Sequence, residues 1–258
     1  MHAVRLHESH HIVPAWPAPA NIKALITTRN GGVSIGAYAS LNLGMHVGDE
    51  TAAVEENRRR LGAMLPRAPM WLQQVHGTRV LCADGPAQGT ANATPTADAV
   101  RTTAINQPCA VMMADCLPVM FCNDAGTEVA VAHAGWRGLC AGVLENTVAA
   151  MSASPQSLMA YLGPAIGPAQ FEVGSEVRDA FVAVEDCAAA AFTPRVTAGK
   201  FVANIYLLAR QRLALAGVSR VYGGDYCTVS DGARFFSYRR DGKTGRMAAL
   251  IWRGEIMS

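Results

Sequence analysis

Paired cysteines are missing from this sequence. Its seven cysteines, an odd number, lie at irregular spacings with no Cys-x-x-Cys pair and no dense cluster, which excludes a disulfide framework and a zinc-finger lattice and fits a reducing cytoplasm. Charge is also scarce. Charged residues make up 16% of the chain, the formal net charge is +2, and the basic knots Arg58-Arg59-Arg60 and Arg239-Arg240 are too short to track phosphates, so nucleic acid is not an expected partner. Long apolar runs are absent as well. The most hydrophobic stretch, residues 110–121, is interrupted by Asp115 and Pro118, and residues 1–8 hold no apolar segment; neither a membrane span nor a cleavable export signal is expected. Histidine is the last scarcity. Four of seven (His2, His7, His10, His11) stand in the first eleven residues, which leaves only His46, His76 and His133 for the body.

What remains is ample material for a core. Half of the 258 residues are hydrophobic, a composition outside the disordered class, and a chain of this size buries roughly 70% of its unfolded surface. Strand-length apolar runs at 23–28, 70–75, 79–83, 109–114, 119–122, 128–132, 158–162, 220–222 and 247–252 alternate with amphipathic stretches, the pattern of an α/β protein. Helices are predicted over 138–151, 203–216 and 175–184, with Gly217 placed to end the second in a left-handed cap. No repeat or long linker divides the chain, so one domain is expected over 1–258. Residues 1–20, with their Pro- and Ala-rich end, form an N-terminal arm, and residues 85–96 an exposed loop.

Two short motifs do not survive their context. Gly32-Val33-Ser34-Ile35-Gly36 has the spacing of a hydrolase nucleophile elbow, but residues 37–44 lack helical spacing, so the serine reads as part of a glycine-rich turn. Gly242-Lys243-Thr244 has the end of a phosphate-binding loop, yet Ser237 replaces its first glycine and an apolar strand, not a helix, follows.

Three residues are better placed for chemistry. His76, Cys116 and His133 each follow a strand-length run, and residues just past strand ends face the crevice where α/β proteins place ligands. Two imidazoles and a thiolate make the protein ligand set of a catalytic zinc with an open fourth position. Gaps of 40 and 17 residues match no compact metal motif, and the same atoms allow a metal-free cysteine nucleophile with His133 as base. A buried cysteine and two hydrogen-bonded histidines with no site at all are the plain alternative. Arg29-Asn30-Gly31-Gly32-Val33-Ser34, and Arg137 at the start of the predicted helix after His133, are suited to an anion.

At these positions the chain resembles the YfiH-like family, first described as multicopper polyphenol oxidoreductase or laccase-domain proteins and later as purine nucleoside phosphorylases. The likeness runs through Thr27-Thr28-Arg29-Asn30-Gly31-Gly32-Val33-Ser34, Leu41-Asn42-Leu43-Gly44 with His46-Val47-Gly48-Asp49, and Gln73-Gln74-Val75-His76-Gly77. It continues through Ala114-Asp115-Cys116-Leu117-Pro118, His133-Ala134-Gly135-Trp136-Arg137-Gly138, Phe171-Glu172-Val173-Gly174, Ser237-Tyr238-Arg239-Arg240-Asp241-Gly242 and Thr244-Gly245-Arg246. The resemblance implies a single-domain α/β/β/α sandwich related to certain cysteine hydrolases. It implies zinc, or copper as in some members, on His76, Cys116 and His133. It also implies phosphorolysis of adenosine, inosine and S-methyl-5′-thioadenosine, with adenosine deamination beside it.

The residues set limits on that chemistry. Multicopper oxidation needs many more histidines than three. Deamination calls for hydroxide near neutral pH, which a zinc with an open position provides, and for a carboxylate to carry protons; Asp115 and Glu172 are the candidates. Asp115 qualifies only if the strand has turned before it, since strand neighbours point to opposite faces. Phosphorolysis calls for cations to place phosphate, with Arg29 and Arg137 expected in that role beside Gly32, Ser34 and Asn42. A cysteine hydrolase or amidase acting on a cell-wall precursor through Cys116 and His133, and a nucleoside-binding module without turnover, are the competing expectations. The oligomeric state is left open by the sequence.

Overall fold

The computed structural model describes residue 7 and residues 10–84 and 94–255; most of the expected loop at 85–96 and much of the first ten residues lie outside that set. In chain order the strands and helices are β1 (His11–Ile12), β2 (Ile22–Thr27), α1 (Thr51–Gly62), β3 (Val80–Cys82), β4 (Ala99–Thr102), β5 (Cys109–Met113), β6 (Leu117–Asn123) and β7 (Val129–Ala134). Then come α2 (Trp136–Ala141), α3 (Val143–Ala150), β8 (Leu158–Leu162), β9 (Glu172–Gly174), α4 (Ser175–Val182), β10 (Phe192–Pro194), β11 (Lys200–Ala203), α5 (Ile205–Leu215), β12 (Arg220–Gly223), α6 (Tyr238–Asp241) and β13 (Met247–Arg253).

Strand periodicity assigns each apolar residue to a layer. In β13, Met247, Ala249 and Ile251 face inward while Ala248 and Leu250 face outward; in β6, Met120 and Cys122 face the same inner layer while Leu117, Val119 and Phe121 face away from it. That inner layer lies between two sheets. One is antiparallel in the order β1-β2-β13-β5, and the other is mixed in the order β12-β8-β6-β7-β4-β3. Helices α2, α3 and α5 cover the outer face of the six-stranded sheet through Leu139, Val143, Leu144, Val148 and Leu208. Leu61 of α1, with Leu41, Leu43 and Trp71, covers the outer face of the four-stranded sheet. The expected α/β/β/α layering is therefore present, with β9, β10 and β11 forming a small third sheet. Each large apolar side chain fully buried in these layers contributes about 1.5–3 kcal/mol relative to exposure.

Local chemistry explains the departures from expectation. The helix predicted over 138–151 is two helices, because Gly142 sits at φ +99° and breaks the hydrogen-bond ladder between α2 and α3. The strand predicted over 70–75 is reduced to isolated bridges at Met70 and Gln73. Helix α5 begins at an Asn204 cap whose side chain accepts the Leu207 amide, and Gly217 ends it at φ +83°.

Candidate active site

The β6–β7 pairing builds the site. Its register sets Leu117 opposite Ala134 and Pro118 opposite His133, so Cys116, immediately before β6, comes beside Gly135, immediately after β7. Val129 and Val131 of β7 face the inter-sheet layer, and His133, two residues on, points the same way where the layer opens. His76 arrives from the other side on a backbone at φ +59°, a left-handed conformation that costs a non-glycine residue of the order of 1 kcal/mol and persists only when its surroundings enforce it.

Asp98, which no sequence motif marks, is what enforces it. This fully buried carboxylate accepts the amides of His76 at 2.9 Å, Gly77 at 2.7 Å and Val75 at 3.2 Å, and it meets His133 Nδ1 at 2.9 Å. One side chain thus holds the His76 turn and fixes the His133 ring, with Nδ1 donating to Asp98 and Nε2 turned to the site. Cys116 Sγ lies 3.8 Å from His76 Nε2, the two imidazole centroids are 4.9 Å apart, and ligand atoms of His76, Cys116 and His133 all fall within 4.8 Å of one another. Tetrahedral coordination at zinc–nitrogen and zinc–sulfur lengths needs ligand atoms about 3.3–3.8 Å apart, so two nitrogens and one sulfur fit a metal with small adjustments. The carboxylate behind one histidine is the usual outer partner of such a ligand.

Electrostatics prepares the thiolate. Burial alone would push the Cys116 thiol up, but the charge of His133 and hydrogen bonds from both imidazoles outweigh it and bring the thiol down to about 6. Burial likewise opposes protonation of His133, yet Cys116 and Asp98 raise it to about 9. Each group thus favours the charged form of the other, thiolate beside imidazolium.

A cavity of about 350 Å³ opens on the three ligands, lined also by His46, Gln74, Met112, Met113, Ala114, Tyr238 and Arg246. The Gln74 amide is locked to β5, accepting the Met112 N–H at 2.7 Å and donating to its carbonyl at 2.8 Å. Among the sequence candidates only His76, Cys116 and His133 line this space. The strand has indeed turned at Asp115, at φ +96°, but its carboxylate is occupied by the Thr228 hydroxyl at 2.5 Å and the Arg239 amide at 2.6 Å. Glu172 is exposed and faces Arg195 at 3.5 Å.

Of the expected phosphate residues, Arg29, Gly32, Ser34 and Asn42 are engaged within and between loops, and Arg137 stands outside the cavity lining. Arg29 donates to the carbonyls of Ala39 and Gly232 and stacks on Phe236. Gly32 is packed so tightly that a Cβ would stand 2.0 Å from the Ser40 carbonyl oxygen. Ser34 and Asn42 both donate to Asp49, at 2.6 and 3.0 Å, in a network joined to buried Asn57. Arg137 is exposed and lies over its neighbour Trp136 at 4.5 Å. His46, Gln74, Tyr238 and Arg246 stand inside the motifs quoted above but carry no spacing that singles them out.

Gly135 gives a direct test of the geometry. A Cβ there would sit 2.8 Å from His76 Cδ2 and 3.0 Å from Cys116 Sγ. Gly135→Ala is expected to spread the three ligands and weaken metal binding about 10–100-fold, the range seen when ligand positioning is disturbed, with the fold retained; competition with a chelating dye measures it.

Fold and site together define a mixed α/β protein whose stacked sheets carry, among the described residues, one His–Cys–His cluster of the kind that holds a transition metal. The chain belongs to the family described as Multi-copper polyphenol oxidoreductase laccase, whose model matches residues 23–254. It is 56% identical over 243 residues, covering 93% of this chain and 98% of the relative, to a protein of Escherichia coli (strain K12) named purine nucleoside phosphorylase YfiH. Among solved structures it is similar to Neisseria meningitidis protein NMB0706, with a TM-score of 0.90 and 54% identity over 95% of this chain and all of that one. YlmD from Geobacillus stearothermophilus superposes with a TM-score of 0.84 at 33% identity, covering 98% of this chain and 99% of that one.

Proposed function

We propose that this protein is a cytoplasmic purine nucleoside phosphorylase that splits adenosine, inosine and S-methyl-5′-thioadenosine with phosphate, and deaminates adenosine as a side reaction. The observation that carries the phosphorylase reading is the near full-length match to a relative named purine nucleoside phosphorylase; the cavity beside the three ligands agrees with it, and the substrates and the deamination follow from the resemblance. His76, Cys116 and His133 would hold zinc, with copper as the other candidate. A bound zinc ion with an open position supplies Lewis acidity to oxygen ligands and eases their deprotonation.

The remaining work belongs to the chain. In phosphorolysis the C1′–N9 bond breaks and a C1′–O bond to phosphate forms, so the proton that the attacking phosphate gives up must reach the purine while positive charge passes over the ribosyl carbon. Tyr238 stands exposed at the cavity rim, where its ring can cover one face of the base. Gln74, locked to β5, lines the same cavity as a fixed polar group. Among the described residues no carboxylate lines the cavity, an arrangement that favours phosphate transfer over a deamination needing a carboxylate to carry protons, so deamination is assigned the minor share. The seven cysteines are all free and no described helix is long and apolar enough to cross a membrane, in keeping with a reducing compartment.

Purified holoprotein given inosine or adenosine with phosphate should release free base and ribose 1-phosphate, and chelation should stop the reaction until zinc is returned. Absence of both products overturns the proposal. A second function rests on one observation, the Cys116–His133–Asp98 line, which has the order of a nucleophile, its base and the group that orients the base. As a cysteine hydrolase or amidase on a cell-wall precursor, the protein would keep its activity through chelation and lose it to a thiol alkylator. Copper-dependent polyphenol oxidation is the weakest fit, since one three-residue cluster falls short of a multicopper set.

A further inference from the structure

The cavity does not end at the three ligands. It continues into a second recess that shares His46, Tyr238 and Arg246 and adds Val47, Gly242, Lys243 and Thr244. Among the described residues no acidic side chain lines either space, whereas His46, Lys243 and Arg246 all do. Neither Arg246 nor Lys243 forms an ion pair among the described residues. Cationic groups gathered this closely oppose further positive charge beside them, and the imidazole of His46 registers it. Burial first, then the charges of Arg246 and Arg58, hold it below the ordinary histidine value.

Arg246 is fixed as an anchor would be. Its Nη1 donates to the carbonyls of Thr244 and Gly245 at 3.0 Å each, its backbone amide donates to Asn42 Oδ1 at 2.8 Å, and its stem packs close to Gly44. Those contacts orient the guanidinium without neutralising it, its face lies over the Tyr238 ring at 5.9 Å, and Nε and Nη2 keep no hydrogen-bond partner among the described residues. A planar fork with two free donors is the geometry that grips a tetrahedral oxyanion. Lys243 adds a mobile point charge, its Nζ lying over the Tyr38 ring at 5.4 Å. The Gly242-Lys243-Thr244 motif thus borders an anion recess through its side chains, without the helix that a phosphate-binding loop requires.

We infer that this recess is the seat of inorganic phosphate, with Arg246 its principal anchor and Lys243 and His46 its flanking donors. The inference rests on the phosphorolysis proposed above and assigns its co-substrate to one arm of the site. Phosphate held there borders the cavity in which the ligands and Tyr238 receive the nucleoside, so an oxygen is presented to C1′ from the side of Arg246. Arg29 and Arg137, outside both linings, are not needed.

Calorimetric titration of zinc-loaded protein with inorganic phosphate alone tests the recess apart from turnover. Arg246→Met is expected to weaken phosphate binding by about tenfold or more, the usual effect of losing charge-assisted hydrogen bonds, and to raise the KM for phosphate similarly while the KM for inosine shifts less than about twofold. Arg246→Lys should recover part of the loss. Zinc content and thermal melting check the fold, and if Arg246→Met does not fold, exposed Lys243→Met carries the same test with a smaller loss. Unchanged phosphate binding in both variants, or an equal rise in both KM values, overturns the assignment. Arg246-dependent phosphate binding without release of base would keep the recess and sink phosphorolysis. Release of base by a protein whose phosphate affinity ignores Arg246 would do the reverse. A nucleoside 5′-monophosphate that binds through Arg246 when free phosphate does not would overturn inorganic phosphate as the occupant.

Discussion

Cys116→Ala is expected to remove bound metal and nearly all phosphorolysis together while leaving the fold in place. The thiol is the only anionic member of the cluster, and the imidazoles of His76 and His133 alone make a poor site for zinc. Loss of an outer partner costs a metal site 10–100-fold, so loss of a ligand should lower kcat/KM by more than about 100-fold. The structural cost is small. Cys116 lies half-buried in the connection between β5 and β6, its sulfur meets His76 at 3.8 Å, and the ring nitrogens that lose it belong to histidines lining the open cavity, where water can replace the sulfur. Elemental analysis, circular dichroism and an inosine phosphorolysis assay on one preparation decide the matter. An unfolded variant would make the cluster a structural clamp, and a metal-free variant that still turns over inosine would take the metal out of the reaction.

Much of this site stood in the sequence because strand ends are legible. The apolar runs before Cys116 and His133 are strands β5 and β7, and their period-2 pattern alone sends each residue to a layer. Helix α5 was equally plain, since its apolar stripe and its terminal glycine agree. Other features had no local signal. Helix α1 buries only Val54, Asn57 and Leu61, and an asparagine that belongs to the hydrogen-bond network under residues 34–42 interrupts what would be its apolar face. The cations of the recess come from segments near 46 and 243–246, brought together by the hydrogen bonds that join Leu43 and Asn42 to the backbone of Arg246. Arg29 looked suitable for phosphate because its charge and turn are visible in sequence. Its carbonyl partners, Ala39 and Gly232, are not.

Asp98 was the least legible residue and should be the most sensitive. It is a lone acid between two alanines at the start of β4, with nothing in its neighbours to show that it will accept four N–H groups. Asp98→Asn keeps its size and one acceptor, which can still serve His76 and His133. The amide nitrogen then faces the N–H groups of Gly77 and Val75, and no rotation of the side chain satisfies both sides. Each buried donor left unpaired costs roughly 1–3 kcal/mol, so a melting temperature lowered by roughly 5–15 °C is expected for a chain of this length. Metal affinity should fall about 10–100-fold as His133 loses its carboxylate and the His76 turn slackens.

The dependence on pH separates this from simple loss of packing. Burial alone would raise the Asp98 carboxyl, but the His133 contact and the amides of Gly77 and Val75 outweigh it and hold the group below its ordinary value of 3.8. A depressed carboxylate contributes stability that is present above the unfolded pKa and lost as pH falls through the folded one. The gap in melting temperature between wild-type protein and Asp98→Asn, both metal-free, should therefore be full at pH 6 and narrow below about pH 4. A gap that stays constant to pH 3, or a variant that binds zinc as tightly as wild-type protein, would show that Asp98 neither carries its charge into the fold nor steadies the ligands. Cys116→Ala is expected to spare stability and lose the metal, whereas Asp98→Asn costs stability first and loosens the metal with it, because this carboxylate ties the backbone of one ligand to the ring of another.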